Sequence, residues 1–127
     1  MKKLSKTILI MLLFMSVMVS AQNQIIPAPR SYEVTQGELV IEGSLDIILM
    51  SDNDKIREQV ALFGTQMKDT GIKMTVVENE NPVTKSLKIG LHESVIDTLG
   101  SEGYTIVVDE RGMTLMANTQ AGTFNGL

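Results

Sequence analysis

The fold is decided by residues 45–71, LDIILMSDNDKIREQVALFGTQMKDTG, in which an apolar run, a polar cluster and an amphipathic segment follow one another. The run 45–50 is short and rich in β-branched side chains, so it predicts a strand that is buried on at least one face. The cluster 51–54 supplies capping oxygens and negative charge, which suit the N-terminus of a helix. We therefore expect a helix to begin at this cluster.

The helix is predicted from the spacing of its apolar residues. Four of them recur at intervals of four, three and four residues, which places them on one narrow stripe of an α-helix. They are Ile56, Val60, Phe63 and Met67. Gly71 can adopt the left-handed conformation in which helices commonly end. We interpret the stripe as the face that packs against a sheet rather than as a groove for a ligand.

The segment before this helix predicts an extended lead-in and a hairpin. Two prolines fix φ within residues 25–30 and hold them in an extended conformation. Segments 32–35 and 39–41 then flank Gln36-Gly37, a pair that can turn. These two segments are therefore predicted to be paired strands.

More strands are predicted after the helix. Apolar side chains alternate with others along residues 72–77 and 86–91, and the polar loop 78–82 separates the two. Residues 104–108 and 113–117 flank a four-residue hairpin loop in which Gly112 can take a positive φ. One helix and about seven short strands imply an α+β domain, with a mixed, mostly antiparallel β-sheet that carries one complete helix, and the start of a second, on one face.

The first 21 residues are predicted to be a secretory signal peptide. Lysines at positions 2, 3 and 6 precede an apolar run over 8–19 and a small-residue cleavage site. A membrane-spanning helix needs about 20 apolar residues, and this run is shorter. We therefore expect export to the periplasm or the exterior, with no membrane attachment after cleavage.

Charge and composition disfavour several classes of function. Eleven basic and fifteen acidic side chains give a net charge of −4, and loss of the three lysines within residues 1–21 lowers it to −7. Such a surface repels phosphate backbones, so no nucleic acid is expected as a partner. The absence of cysteine leaves neither a disulfide scaffold nor a lipid-attachment site. Aromatic residues make up only 4% of the chain, which disfavours a free-standing lectin.

The end of the chain predicts a larger protein. Residues 117–127 open with an N-cap candidate and small side chains, as a helix does, and a helix of that length cannot stand alone. We expect residues 22–127 to be one domain that is truncated before a neighbour. The residues that carry out chemistry are then expected beyond Leu127.

Two polar groups resemble parts of metal sites. His92-Glu93 is half of a zinc-protease motif, but the motif needs two histidines and His92 is the only one in the chain. We expect His92 to be a surface residue at the end of a strand. Asp52-Asn53-Asp54 opens like a calcium loop, yet the glycine and the closing glutamate of that loop are missing. Helix capping explains these three residues, so no metal site is predicted.

No catalytic set is predicted either. Asp109-Glu110 could divide acid and base roles, but an exposed hairpin tip desolvates neither carboxylate. The same holds for Glu78 and Glu80. A single histidine and no cysteine leave no recognisable nucleophile and base. The glycines at 100, 103 and 112 are scattered among turns and form no phosphate loop, so no cofactor is expected.

Three segments, in this order, resemble a known family. They are Ile25-Ile26-Pro27-Ala28-Pro29, then Gly103-Tyr104-Thr105-Ile106, then residues 117–127. The set resembles the N-terminal domain of bacterial β-N-acetylhexosaminidases, glycoside hydrolase family 20, and covers nearly all of residues 22–127. Where the family usually has an aromatic residue before the last glycine, this chain has Asn125.

The resemblance implies a non-catalytic domain, a sheet with helices on one side, that precedes a catalytic (β/α)₈ barrel. In the family, an adjacent aspartate and glutamate of the barrel act with the acetamido group of the substrate. The glutamate protonates the leaving oxygen, and the acetamido oxygen attacks the anomeric carbon. Asp109-Glu110 has the same two residue types in a different context, so the resemblance assigns it no role.

The expected function is therefore to brace the barrel of a secreted β-N-acetylhexosaminidase-like glycosidase, without activity of its own. The barrel is the expected intramolecular partner. Two alternatives stay open at this point. One is an autonomous exported module that binds acetylated sugars or cell-wall glycans, and the other is the equivalent domain of another secreted glycosidase, such as an α-glucuronidase or an O-GlcNAcase relative.

Overall fold

The computed structural model describes residues 28–51, 53–78, 85–92 and 97–127. The predicted signal peptide, residues 25–27 of the lead-in, most of the loop 78–82, and Asp52, Glu80 and Glu93 lie outside these ranges. The elements in chain order are β1 (Ser44–Leu49), α1 (Asp54–Gln66), a 3₁₀ turn (Met67–Thr70), β2 (Lys73–Val77), β3 (Ser86–Leu91), β4 (Tyr104–Asp109), β5 (Gly112–Ala117) and α2 (Gln120–Gly126). Neither described helix is long and apolar enough to cross a membrane.

The chain divides into two units, Met1–Thr35 and Gln36–Leu127. The described part of the first unit, residues 28–35, is exposed and has no regular secondary structure. The hairpin predicted over 32–41 is wrong, since none of the residues 28–43 lies in a strand. Tyr32 and Val34, which alternate with polar residues in the predicted first strand of that hairpin, are 58% and 76% exposed. Alternation produces a strand only where one face is buried, and here it is not.

The second unit contains a five-stranded sheet in the order β2-β1-β3-β5-β4. Strand β1 pairs in parallel with β2 and with β3, β3 pairs in parallel with β5, and β4 pairs antiparallel with β5. The predicted α+β fold with a mixed sheet is confirmed. The expectation of mostly antiparallel pairing is wrong, because α1 connects β1 to its neighbour and such a helical crossover makes the two strands parallel.

The core lies between α1 and one face of the sheet. Ile56 and Val60 of the predicted stripe are buried against β1, β3 and β5, and Phe63 is partly buried beside them. The sheet contributes Leu45, Ile47, Leu87, Ile89 and Leu115. Each fully buried aliphatic side chain contributes about 2 kcal/mol to folding through the hydrophobic effect. The packing face is therefore confirmed for Ile56, Val60 and Phe63, whereas Met67 is half-buried in the 3₁₀ turn that follows α1.

Both ends of α1 follow the sequence prediction. The Asn53 side-chain oxygen accepts the backbone N–H groups of Lys55, at 3.1 Å, and of Ile56, at 3.3 Å. These bonds satisfy two of the amides that a helix leaves unpaired at its start. At the other end the 3₁₀ turn passes into Gly71, which has φ +78°. Glycine adopts this conformation without steric cost.

The β4–β5 hairpin is confirmed, but its loop differs from the prediction. Asp109 pairs with Gly112, so only Glu110 and Arg111 lie between the strands. The described glycines with positive φ do not include Gly112. A Cβ atom at Gly112 would lie 2.2 Å from the carbonyl oxygen of Ser86 in β3. Close approach of the neighbouring strand, rather than a special φ, therefore requires glycine there.

Candidate functional site

Asp109, the last residue of β4, and Glu110, in the turn that follows, are both exposed, as the sequence predicted. The Asp109 carboxylate accepts the backbone N–H groups of Arg111, at 2.7 Å, and of Gly112, at 3.1 Å. The Glu110 carbonyl accepts a hydrogen bond from the Lys85 ammonium group. The Asp109 carboxylate thus stabilises the turn that follows it. That Asp109 and Glu110 have no catalytic role stays a prediction.

His92 differs from its prediction as a surface residue. It follows β3 directly, and its backbone N–H donates to the carbonyl of Ala117 at 2.9 Å, which keeps the chain against the sheet. The residue is half-buried, and its buried Nε2 atom has no hydrogen-bond partner in the part of the chain that the structure describes. Among the described residues, no group of three or more histidine, aspartate or glutamate side chains could hold a metal ion.

A glutamine pair joins the two helices at the end where both begin. The Gln59 amide donates to the Gln120 carbonyl at 3.1 Å. The Gln120 amide donates to the Asn53 side-chain oxygen, the cap of α1, at 3.3 Å. The sequence alone does not predict this junction, since glutamine is a common surface residue and nothing local indicates a partner 61 positions away. The junction fixes α2 beside α1.

The glycines of α2 face the sheet and let the helix approach it closely. A Cβ at Gly122 would lie 2.4 Å from the Gly103 carbonyl oxygen, and one at Gly126 would lie 2.4 Å from a methyl of Leu115. Thr123, between them, is fully buried. Phe124 points the other way and is 55% exposed. The closing segment that resembles family 20 is thus a packing motif with one large apolar side chain left outside.

Exposed apolar side chains are concentrated on one side of the sheet. Register places Val76 with Ile47, Ile106 with Leu115 and Val108 with Met113, so all three share the face that carries the core. Leu62 and Phe124 belong to the helices on the same side. We call these five the helix-side surface: Leu62, Val76, Ile106, Val108 and Phe124, each between 46% and 55% exposed.

The opposite face of the sheet is less apolar. Register places Val107 there, opposite Thr114, with Thr75, Lys88 and Thr105. Val107, at 63% exposed, and Met50 are its large exposed hydrophobic side chains among the described residues. Isolated exposed apolar residues are normal on proteins, whereas a one-sided accumulation indicates an interaction surface. The helix-side surface is therefore the candidate functional site.

Comparison with solved structures supports the fold. A GH138 enzyme targeting pectin rhamnogalacturonan II matches with a TM-score of 0.56 at 10% sequence identity. The match covers 65% of this chain and 12% of that protein, so the fold occurs there as a small part of a much longer polypeptide. No curated protein matches the chain.

Comparison with protein families gives the relationship directly. The family described as glycosyl hydrolase family 20, domain 2, matches residues 22–127. This range is the one over which the sequence resembles the non-catalytic domain of the bacterial β-N-acetylhexosaminidases. The match confirms that resemblance, and the chain belongs to glycosyl hydrolase family 20 as its domain 2.

Proposed function

We propose that this chain is the non-catalytic domain of a secreted β-N-acetylhexosaminidase-like glycoside hydrolase and that it braces the catalytic (β/α)₈ barrel. The parent reaction would be hydrolysis of terminal N-acetylhexosamine residues by substrate-assisted catalysis in that barrel. Membership of family 20 as domain 2 supports an association with a catalytic domain. Export through residues 1–21 is part of the proposal and rests on the signal-peptide pattern.

The observation that carries the proposal is the helix-side surface. Its five side chains lie on the helices and on both edge strands, and they are about half exposed. Covering them would add apolar burial, which stabilises an interface by about 25 cal/mol per Å². Protein interfaces are enriched in aromatic residues, and Phe124 is the aromatic side chain of this surface. A barrel seated on the helices would supply the cover.

Activity of the chain alone is the first test. We expect the purified chain to give no turnover of a chromogenic N-acetylglucosaminide, because the carboxylate pair of the family belongs to the barrel. Turnover above a buffer blank would contradict the proposal. Titration with chitin oligomers separates the alternative of a glycan-binding module, since a bracing domain should release no heat of binding.

Docking is the second test. A separately produced family 20 barrel is titrated with the chain and with two variants, Leu62→Asp and Phe124→Asp. Each variant places a charge within the helix-side surface, and we expect each to weaken binding at least about tenfold, since burial of an unpaired charge is costly. Val107→Asp is the matched control, because Val107 is as exposed but lies on the opposite face. Equal weakening by all three would contradict the proposed docking face.

For export, the expected result is a mature N-terminus at Gln22 in the periplasmic or culture fraction, read by mass spectrometry. Recovery of the chain with residues 1–21 still attached would contradict this part of the proposal alone. The docking titration is independent of it.

A further inference from the structure

Helix α2 is fastened to the loop that precedes β4. Three side chains in and just before the helix donate hydrogen bonds to three consecutive carbonyl oxygens of the loop 97–103. The pairs are Asn118 to Gly100 at 3.0 Å, Thr119 to Ser101, and Asn125 to Glu102 at 3.1 Å. The next carbonyl of the loop, that of Gly103, lies against the backbone of Gly122.

The Thr119 hydroxyl forms two hydrogen bonds, one within α2 and one to the loop. As the N-cap of α2 it accepts the backbone N–H of Gly122 at 3.2 Å. The same oxygen donates its hydrogen to the Ser101 carbonyl of the loop. A hydroxyl has one donor and two acceptor positions, so both bonds form at once. One oxygen atom, that of the Thr119 hydroxyl, therefore bonds to both the start of the helix and the middle of the loop.

Close backbone packing adds to the hydrogen bonds. A Cβ atom at Gly122 would lie 2.4 Å from the Gly103 carbonyl oxygen. Gly103 in turn lies against the Leu99 carbonyl, where a Cβ atom would be 2.0 Å away. The backbones of loop and helix are thus in direct contact at Gly103 and Gly122, and no side chain lies between them that could change rotamer to make room. A movement of one requires a movement of the other.

Each segment depends on contacts with the other. The first turn of α2 is capped by the Thr119 hydroxyl, and Asn125 and Gly122 of the helix lie against the carbonyl groups of the loop. The loop 97–103 consists of turns without strand or helix. We propose that loop 97–103 and α2 form a single cooperative unit, which we call the latch, and that this unit opens and closes apart from the rest of the sheet. The Thr119 hydroxyl connects its two segments. Proteins open locally in such units at free energies below that of global unfolding.

The latch controls how α2 presents Phe124 at the helix-side surface. Its existence does not depend on the proposed bracing function, because every contact that defines it lies within this chain. The two proposals can therefore fail separately. The docking titration needs the barrel, and the test of the latch does not.

The test is residue-resolved amide hydrogen exchange by NMR on the full chain. Thr119→Val keeps the shape of the side chain and removes its hydroxyl, whereas Thr119→Ser keeps the hydroxyl. Thr65→Val is the matched control, because the Thr65 hydroxyl donates to the Ala61 carbonyl within α1. We expect Thr119→Val to accelerate exchange about tenfold in both α2 and the loop 97–103, by the same factor, as loss of an N-cap predicts.

Thr119→Ser and Thr65→Val should leave both segments unchanged. The latch is overturned if Thr119→Val accelerates exchange in α2 alone while the loop keeps its protection. It is also overturned if Ile47 and Ile89 in the central strands accelerate by the same factor, because opening would then be global. Asn125→Ala provides a second route, since Asn125 is exposed and its loss does not disturb the core. It too must accelerate exchange in both segments together.

Discussion

Substitution of Gly112 by alanine tests why glycine begins β5. A Cβ atom there would lie 2.2 Å from the Ser86 carbonyl oxygen and 3.1 Å from the Ser86 backbone carbon and nitrogen. Ordinary contact begins at 3.4 Å, so β3 and β5 would have to separate by about 1 Å. Backbone atoms cannot rotate away as a side chain can. The expected cost is about 3 kcal/mol, at the upper end of overpacking penalties.

Urea unfolding at 25 °C measures this cost. With a denaturant slope of about 1–3 kcal/mol per M, the midpoint of Gly112→Ala should fall by about 1–3 M at an unchanged slope. Gly112→Asn should be at least as destabilising, because the obstacle is a neighbouring strand. If a positive φ were the reason for glycine, asparagine would be tolerated much better than alanine.

Gly71 is the matched control for conformation. It has φ +78° and nothing within 4 Å of an added Cβ, so alanine there meets only backbone strain of about 1–2 kcal/mol. Asparagine should recover part of that cost at Gly71 and none at Gly112. A stability loss below about 0.5 kcal/mol for Gly112→Ala, within the range of ordinary surface changes, would refute the steric explanation.

Three further changes have expected outcomes. Ile56→Ala should lower the free energy of unfolding by about 2–5 kcal/mol in urea, because Ile56 is fully buried between α1 and the sheet and leaves a cavity. Asn53→Ala should cost about 1 kcal/mol through loss of the α1 cap, with Asn53→Ser close to wild type in the same titration. Val107→Lys should change stability by less than about 0.5 kcal/mol and reduce light scattering on heating, since a lysine on the exposed edge strand β4 opposes pairing with a second copy. More scattering for the lysine variant would contradict this last expectation.

Local signals predicted the elements that depend on local contacts. The stripe of α1, its Asn53 cap and its Gly71 end follow from helical periodicity and from the unpaired amides at a helix start. The β4–β5 hairpin follows from two apolar segments on either side of a short polar loop. Each of these involves residues that are close in sequence, which is why the pattern alone was sufficient.

Features that depend on distant partners were missed. Alternation shows which side chains of β3 can be buried, but the parallel pairing of β3 with β1 and β5 is decided by where the chain returns. The backbone N–H of His92 donates to the carbonyl of Ala117, a distant partner that no local pattern around His92 indicates. The Gln59–Gln120 junction is of the same kind. The candidate surface was also out of reach, since its residues come from four different elements.

The sheet order has a consequence for synthesis on the ribosome. Strand β1 lies between β2 and β3, so when β2 has been made, one long side of β1 still has no neighbour. That side of β1 is paired only after β3, Ser86–Leu91, has been synthesised, and the other side of β3 is paired only after β5 has been synthesised. A nascent chain thus carries an open hydrogen-bonding edge from the completion of β2 at Val77 until β5 is complete at Ala117, and unpaired edges of this kind attract wrong partners. Keeping the chain unfolded until β5 has been synthesised would therefore lower the risk of wrong strand pairing.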